Sequence, residues 1–194
     1  MKRLFDIVAS ILLLIILFIP FLLIGLIIFI DDGGPVIFKQ YRVGKGNKLF
    51  YIYKFRTMKK DTRNTSTEDL TEADECIIRS GRILRKTSVD ELPQIFNILR
   101  GEMSFVGPRP LIPEEKEIRA LRAEHNIYSV TPGMTGLAQV YGRDTLSDEE
   151  KVKLDKEYVD KKSILLDIKI LFRTVIVVLK GKDIIEGSEQ FNKH

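Results

Sequence analysis

Residues that usually build disulfides, metal sites and nucleophilic triads are scarce in this sequence. Cys76 is the single cysteine, so the chain has no internal disulfide and no cysteine-based zinc site. The two histidines, His125 and His194, are far apart, which excludes a histidine-rich metal cluster. Tryptophan is absent, and no segment repeats at a fixed period. Covalent or metal-assisted chemistry therefore has to rest on carboxylates and arginines.

The composition indicates one folded domain, or a small domain with a membrane anchor. The 194 residues are 44% hydrophobic and 30% charged, which is too apolar for a disordered chain and too charged for a polytopic membrane protein. Lys and Arg total 31 against 27 Asp and Glu, a net charge of +4. This excess suits an anionic membrane surface, phosphate ligands or nucleic acid equally well.

An uncharged apolar run covers residues 7–30. As a helix it would be about 36 Å long, enough to cross the hydrocarbon of a bilayer. A cleaved signal peptide normally has an apolar region of about 7–15 residues and then a small-residue cleavage site. Here Asp31 and Asp32 follow the run directly. The sequence therefore predicts a membrane-embedded segment.

Pro20 interrupts the run near its middle, where it is expected to kink the helix. Basic residues flank both ends: Lys2 and Arg3 before it, and Lys39, Arg42, Lys45, Lys48, Lys54, Arg56, Lys59 and Lys60 after it. Because basic flanks prefer the cytoplasmic face, we expect a re-entrant helix-break-helix that returns to that face. A straight span with a proline kink is the alternative.

Two strands and a turn are predicted after the apolar run. Residues 36–38 and 49–55 are rich in β-branched and aromatic types, and residues 44–47 (GKGN) are turn-forming, which indicates a β-hairpin. Residues 61–75 are polar and mostly acidic, and predict a solvated loop or a short surface helix.

Three further helices are predicted. The first begins with Asp90 as its N-cap, has Pro93 in its first turn and stops at Gly101. Residues 148–162 predict a charged helix, and residues 164–178 have apolar side chains at helical spacing. The last helix could pack in the core or lie in the membrane interface.

Asp90 and Glu91 are the best candidates for chemistry. Adjacent helical residues point about 100° apart, so the two carboxylates are expected to have different roles at one site. The structural alternative is an N-cap aspartate with no catalytic role. A basic surrounding favours a phosphate site, with Arg109 and Arg143 in loops stiffened by glycine and proline. The other nearby basic residues are Arg79, Arg82, Arg85 and Lys86.

Three ordered blocks closely resemble the bacterial sugar transferase family, the monotopic phosphoglycosyl transferases. They are residues 87–94 (TSVDELPQ), 97–110 (NILRGEMSFVGPRP) and 131–140 (TPGMTGLAQV). The resemblance extends to Lys2-Arg3, Asp6, residues 53–58 (YKFRTM) and residues 166–169 (LDIK), and so covers nearly the whole chain.

The resemblance implies transfer of a phosphosugar from a UDP-sugar to a polyprenyl phosphate such as undecaprenyl phosphate, with release of UMP, as the first step of glycoconjugate biosynthesis. Asp90 matches the family nucleophile, which forms an aspartyl phosphosugar intermediate in a ping-pong cycle. Mg²⁺, with Asp90 as a ligand, would bridge the diphosphate oxygens. Glu91 is then a proton acceptor or a metal organiser. Arg85, Arg109 and Arg143 are candidates for phosphate and nucleotide contacts, with Arg143 nearest the uridine.

The family commonly has Ser-Pro at the helix break, where this chain has Ile19-Pro20. Pro20 still breaks the hydrogen-bond ladder, but the missing hydroxyl leaves the bend less defined.

We therefore expect a mainly α-helical monotopic enzyme with a small β-hairpin and interfacial amphipathic helices. Residues 1–32 would form the re-entrant membrane helix, and residues 33–194 the catalytic domain on the cytoplasmic face of the bacterial inner membrane. Expected partners are the donor, the lipid acceptor and membrane lipids; a homo-oligomer is compatible with this scheme, and nucleic acid is not expected. The alternative functions are a non-catalytic basic module that binds lipid headgroups and a membrane-anchored nucleic-acid binder.

Overall fold

The computed structural model describes residues 1–60, 62, 76–142 and 145–180. The chain is mainly helical, as predicted, with a few short strands. In chain order the elements are α1 (Lys2–Asp32), β1 (Ile37–Val43), β2 (Leu49–Phe55), α2 (Arg79–Lys86), α3 (Ile95–Arg100), β3 (Ser104–Val106), α4 (Lys116–Glu124), β4 (Gly133–Thr135), α5 (Leu137–Tyr141), α6 (Asp148–Lys161) and α7 (Ile164–Lys180). The predicted polar segment at residues 61–75 lies outside the described residues, apart from residue 62.

Helix α1 contains the apolar run and is assigned as one helix, with Pro20 inside it. Its buried residues are Asp6, Ser10 and Ile28, and most of its large apolar side chains are exposed. Among the described residues it is the one helix long and apolar enough to cross a membrane, judged by length and composition. This agrees with membrane association; the re-entrant path stays a prediction.

Polar contacts fasten both ends of α1 to the rest of the chain. Near its start, the Arg3 guanidinium donates to the carbonyls of Ile98 and Leu99, and the Asp6 carboxylate accepts from the Ser104 hydroxyl at 3.1 Å. Near its end, the buried Arg56 donates to three backbone carbonyls, those of residues 32, 33 and 34. The carbonyl of residue 32 belongs to the last turn of the helix, where backbone acceptors lack helical partners, and residues 33 and 34 follow it directly.

The predicted β-hairpin is confirmed. Strands β1 and β2 pair antiparallel from Ile37↔Phe55 to Val43↔Leu49. Side chains alternate between its two faces, so Phe50 and Ile52 point into the main core, while Leu49 and Tyr51 face outward. At the ends of the hairpin, Val43 and Phe55 of the second face are also buried. Arg42 and Lys54 lie on the same face of the hairpin as Phe50 and Ile52, because Arg42 pairs with Phe50 and Lys54 is two residues after Ile52.

A second, parallel pair of strands was not predicted. Strands β3 and β4 pair through Ser104↔Gly133 and Val106↔Thr135. Each strand has only three residues, too few to show a period of two in the sequence. The pair lies in the main core, where Met103, Phe105 and Val106 pack with residues of β2, α3, α5, α6 and α7.

The prediction that Asp90 is a helix N-cap is wrong. A 3₁₀ segment, Val89–Gln94, begins one residue earlier, and its N-cap position is Ser88 with φ 56°. Pro93 has no N–H to donate to an α-helical carbonyl, so the first turn winds as the tighter 3₁₀ form. The α-helix starts only at Ile95. Its predicted stop is confirmed, since Gly101 takes φ 82° at the C-cap.

Both predicted C-terminal helices are confirmed as α6 and α7. Ser147 caps α6 through a reciprocal capping box with Glu150. In α7, Asp167 and Ile170 are buried against the domain, so one side of the helix packs in the core. The other side carries an exposed apolar row of Leu165, Ile168, Phe172, Val175 and Leu179.

Glycine at position 133 allows the loop before β4 to approach the loop after β3 closely. A Cβ atom at Gly133 would lie 2.0 Å from the backbone nitrogen of Gly107, so Gly133→Ala forces the loops apart. We expect a loss of about 3 kcal/mol in unfolding free energy and a melting temperature about 6–12 °C lower, measured by thermal unfolding in nanodiscs. In the control Gly25→Ala, the nearest atom is a Val36 methyl at 3.6 Å, and no loss is expected. Equal melting temperatures for the two variants would contradict this packing.

Candidate active site

Asp90 and Glu91 lie in the 3₁₀ segment between α2 and α3, where the segment packs against β2. Each residue is only 9% exposed. Two adjacent carboxylates in a buried place are unfavourable unless cations or hydrogen-bond donors compensate them. The side chains around them supply such cations.

Glu91 is held by two basic side chains from different elements. Its Oε1 atom lies 2.7 Å from the Lys54 ammonium of β2 and 3.7 Å from the Arg109 guanidinium. Lys54 is itself mostly buried, with 18% of its side chain exposed. Glu91 therefore ties the hairpin to the loop that follows β3.

Burial raises the pKa of Asp90 above its usual range. Lys54 and Arg85 act in the opposite direction, while the neighbouring Glu91 charge adds to the rise in this pKa. Among the described residues, no salt bridge within 4.0 Å involves Asp90. Its ionised form would therefore gain from a cation brought to the site.

Arg109 projects from a loop that is held tightly by backbone contacts. The Gly107 amide donates to the Thr135 carbonyl at 2.8 Å, and the Gly133 amide donates to the Pro108 carbonyl at 2.9 Å. A Cβ atom at Gly136 would lie 2.2 Å from the Gly107 carbonyl oxygen, so the loops approach as closely as glycine allows. This packing, together with the conformationally restricted prolines on either side of Arg109, fixes the backbone position of Arg109.

A buried ion pair supports the same loop from behind. Arg122 of α4 is 3% exposed and donates to the backbone carbonyl of Arg109 at 2.6 Å. Its other terminal nitrogen pairs with Asp155 of α6. Arg122 thus satisfies a carbonyl that the proline-rich loop cannot satisfy with its own amides.

A shallow open cleft lies between the hairpin and this loop. Three basic residues, Arg42, Lys54 and Arg109, line it together with Glu91 and Gln94. Desolvation, and then the charge of Arg109, lower the pKa of Arg42 to about 10, so it remains protonated at neutral pH. The cleft is suited to phosphate oxygens beside a buried carboxylate pair.

The predicted site residues fall into three groups. Glu91 and Arg109 line the cleft. Asp90 is next to Glu91 in the chain but does not line the cleft itself, and Arg85 at the end of α2 is close enough to influence the pKa of Asp90. Arg143 lies outside the described residues.

Sequence reasoning missed the roles of three residues at the site. The sequence marks Lys54 and Arg42 only as basic residues after the apolar run. The feature that could have revealed them is a charged residue on the same strand face as Phe50 and Ile52, where an apolar residue is expected. Arg122 had no such signal, since arginine on a charged helix normally faces solvent.

Mg²⁺ is the metal that the family resemblance implies, with Asp90 as its ligand. Among the described residues there is no group of three or more His, Cys, Asp or Glu that could hold a metal ion. Mg²⁺ is often bound by only one or two carboxylates, with substrate phosphates and waters completing its octahedron. The buried Asp90 carboxylate fits such a site, while Glu91 is engaged by Lys54 and Arg109.

A sequence model of the family described as bacterial sugar transferase matches residues 1–181. The chain belongs to the bacterial sugar transferase family. The resemblance inferred from residues 87–94, 97–110 and 131–140 is confirmed, and with it the prediction of an enzyme. A related chain is the uncharacterized sugar transferase EpsL of Bacillus subtilis, which is 44% identical over 99% of this chain and 92% of its own length.

Two other relatives are longer proteins. The undecaprenyl-phosphate galactose phosphotransferase of Salmonella typhimurium is 40% identical over 93% of this chain. The undecaprenyl-phosphate glucose phosphotransferase of Komagataeibacter xylinus is 42% identical over 90% of it. The chain spans 40% and 35% of their respective lengths.

Proposed function

We propose that this chain is a phosphoglycosyl transferase that moves a phosphosugar from a UDP-sugar to a polyprenyl phosphate, undecaprenyl phosphate, and releases UMP. The observation that carries the proposal is the buried Asp90–Glu91 pair beside the basic cleft of Arg42, Lys54 and Arg109. Two relatives are named as undecaprenyl-phosphate sugar phosphotransferases, which supports the acceptor. The product would begin the assembly of a lipid-linked glycan.

The first half-reaction uses the Asp90 carboxylate as the nucleophile. A carboxylate oxygen forms a bond to the phosphorus that bears the sugar, and the bond from that phosphorus to the UMP oxygen breaks. The products are an aspartyl phosphosugar and UMP. Arg109, Lys54 and Arg85 would bind the phosphate oxygens, where negative charge is spread in the transition state.

The second half-reaction returns Asp90 to its free form. A phosphate oxygen of the polyprenyl phosphate attacks the same phosphorus, and the aspartyl oxygen leaves as a carboxylate. The nucleophile is already an anion at neutral pH, so this step does not need a general base. Glu91, bound to Lys54 and Arg109, is therefore better suited to organising the cations than to accepting a proton.

Asp90 is the residue proposed to hold Mg²⁺, because its carboxylate is buried near the cleft and needs a compensating cation. When bound, Mg²⁺ would neutralise part of the diphosphate charge and let the carboxylate approach. Arg85, Arg109 and Arg143 are proposed to bind the phosphates and the nucleotide.

The lipid acceptor requires a site at the membrane, and we propose that α1 enters and leaves the bilayer on the same face. A straight helix between residues 3 and 32 would be about 43 Å long. Its ends are joined by short links: Arg3 contacts Ile98 in α3, Asn97 binds the backbone of β2, and Arg56 just after β2 contacts Asp32. Placed end to end, these contacts would cover about 43 Å only if nearly all of them pointed in one direction. They therefore support a bend in α1.

Pro20 is the proposed position of the bend, since it removes one helical hydrogen bond. The exposed apolar row of α7 would lie in the interface on the same side. In this arrangement residues 1–32 form the re-entrant helix and residues 33–194 the catalytic domain. The cytoplasmic face is proposed because UDP-sugars are made there.

Asp90→Asn tests the nucleophile. We expect UMP release from the UDP-sugar that supports turnover to fall at least about a thousandfold, because an amide cannot form the acyl phosphate. Wild-type enzyme quenched in acid without the acceptor should carry the phosphosugar on a peptide containing residue 90, found by mass spectrometry. Label on another residue, or undiminished UMP release by the variant, would refute the role.

Lys54→Met tests the electrostatic support of Asp90. The pKa of Asp90 is raised, so its carboxylate form is lost as the pH falls through that pKa; without the Lys54 charge the loss should begin at higher pH. We expect UMP release at pH 7 to fall about 10- to 100-fold and the acid side of the pH profile to move upward. Lys54→Arg should retain more activity.

The control for this test is Lys39→Met. Lys39 lies on the outer face of the same hairpin, opposite Tyr53, and its loss should leave the profile unchanged. If the pH profiles of UMP release by wild type and by Lys54→Met coincide on the acid side, Lys54 does not set the ionisation of Asp90.

Cysteine labelling tests the path of α1. With Cys76→Ser as background, one cysteine is inserted after Met1 and another replaces the exposed Lys45. Both should react with a membrane-impermeant maleimide only in inverted vesicles, and detergent should make both reactive in intact cells. Labelling of the N-terminal position alone from the outside would show a straight span.

A further inference from the structure

The segment that contains Arg109 is fixed through its carbonyl groups. Three of the six residues from 108 to 113 (PRPLIP) are prolines, which have no N–H to donate. Each of the six carbonyl oxygens nevertheless accepts a hydrogen bond. The donors, in order along the segment, are the amide of Gly133, the side chains of Arg122 and Arg42, the amides of Val43 and Glu115, and the side chain of Arg119. The path of the chain here therefore depends on groups outside the segment.

Arg122 differs from the other donors because it bonds the carbonyl of Arg109 itself. That oxygen belongs to the peptide plane directly after the Arg109 Cα atom, so fixing it helps to set the direction in which the Arg109 side chain leaves the backbone. The bond is 2.6 Å long, and Arg122 is almost completely buried. Loss of this donor would let the peptide plane rotate.

Asp155 of α6 holds Arg122 in place. Its carboxylate is buried and pairs with the second terminal nitrogen of Arg122. Because the guanidinium is a planar, rigid fork, a carboxylate on one terminal nitrogen also sets the direction of the other. The contacts therefore run in one line from Asp155 through Arg122 to the backbone of Arg109.

Stability alone does not account for this buried ion pair. Burial raises the pKa of Asp155 to about 6, although the positive charge of Arg122 opposes the rise. In the described part of the chain, the Oδ1 atom of Asp155 and the Nε atom of Arg122 are buried without a hydrogen-bond partner. A buried ion pair can often be replaced by packed apolar residues with no loss of stability. A need to position Arg109 explains the choice of charged groups.

The guanidinium of Arg109 lies at the other end of this line of contacts. It is 3.7 Å from the Glu91 carboxylate and lines the cleft together with Lys54. Arg122 and Asp155 do not line this cleft. Any effect that they have on a ligand bound there must pass through the loop of Arg109.

We propose that Arg122 and Asp155 are a positioning pair, which directs the Arg109 guanidinium toward phosphates bound beside Asp90 without touching the ligand. This inference rests on the proposed function, in which Arg109 binds phosphate. It gives a role to two residues outside the three blocks of the family resemblance.

Replacing both members by apolar residues, Arg122→Met with Asp155→Leu, tests the proposal. The fold should be kept, with a melting temperature in nanodiscs within about 3 °C of wild type. We expect the Kd for UMP to rise at least about tenfold, because Arg109 loses its charge-assisted hydrogen bonds to the phosphate. The matched control replaces an exposed pair of the same helix, Lys156→Met with Asp160→Leu, and should bind UMP as wild type does.

A double-mutant cycle with Arg109→Ala separates positioning from a general structural effect. If the pair acts through Arg109, its replacement in the Arg109→Ala background should change the Kd for UMP by less than about twofold. Equal losses of affinity in both backgrounds, or an unchanged Kd for the pair variant alone, would overturn the positioning role and leave the proposed function standing. If wild-type enzyme neither binds UMP nor consumes any UDP-sugar, the proposed function fails, and this inference with it.

Arg122→Lys decides the question if the apolar pair does not fold. Lysine keeps the buried charge beside Asp155 but has one terminal nitrogen in place of the planar fork, so it cannot hold both partners in the same geometry. The Kd for UMP should rise about five- to tenfold, again only when Arg109 is present. A Kd equal to that of wild type would overturn the proposal.

Discussion

The burial of two adjacent carboxylates is the constraint on which the site depends. Asp90 and Glu91 are nearly excluded from water, so their charges must be compensated from other elements. Lys54 reaches Glu91 from β2, and Arg109 reaches it from the loop after β3. The Lys54 charge also acts on Asp90. The same cations can bind phosphate oxygens, so a structural need and a binding function are met by one set of side chains. Burial also makes the ionisation of Asp90 sensitive to each neighbouring charge.

Close loop packing provides the precision that this electrostatic arrangement needs. The Gly107 and Gly133 backbones touch where a side chain on either would clash, and Arg122 holds the Arg109 carbonyl from behind. Because Arg109 borders the cleft beside Glu91, the packing of its loop fixes the side from which its guanidinium approaches that cleft. A loop with more freedom would lose this alignment before substrate arrives.

The membrane helix is attached to the domain by buried polar groups as well as by apolar packing. Lys2 pairs with Asp167 of α7 at 2.6 Å, and the same carboxylate accepts from Tyr158 at 2.8 Å. The Tyr158 hydroxyl oxygen also lies 3.1 Å from the Val106 carbonyl, directly before the Gly107 loop. Contacts between α1 and α7 are thus connected to the loop that carries Arg109. An enzyme with a lipid acceptor benefits from such coupling, since its site must stay at a defined height above the bilayer.

Local patterns in the sequence determined several features: the apolar helix, the hairpin, the last two helices, the stop at Gly101 and the Asp90–Glu91 pair. Each depends on neighbouring residues, whose periodicity or turn chemistry is visible within a short window. The start of the helix after Asp90 was predicted wrongly, because Pro93 tightened the turn into a 3₁₀ form. Only the tertiary structure decided the pairing of β3 with β4, the approach of Lys54 to Glu91 and the support of Arg109 by Arg122. These features join residues far apart in the chain, and no local pattern specifies which distant side chains meet when the core closes.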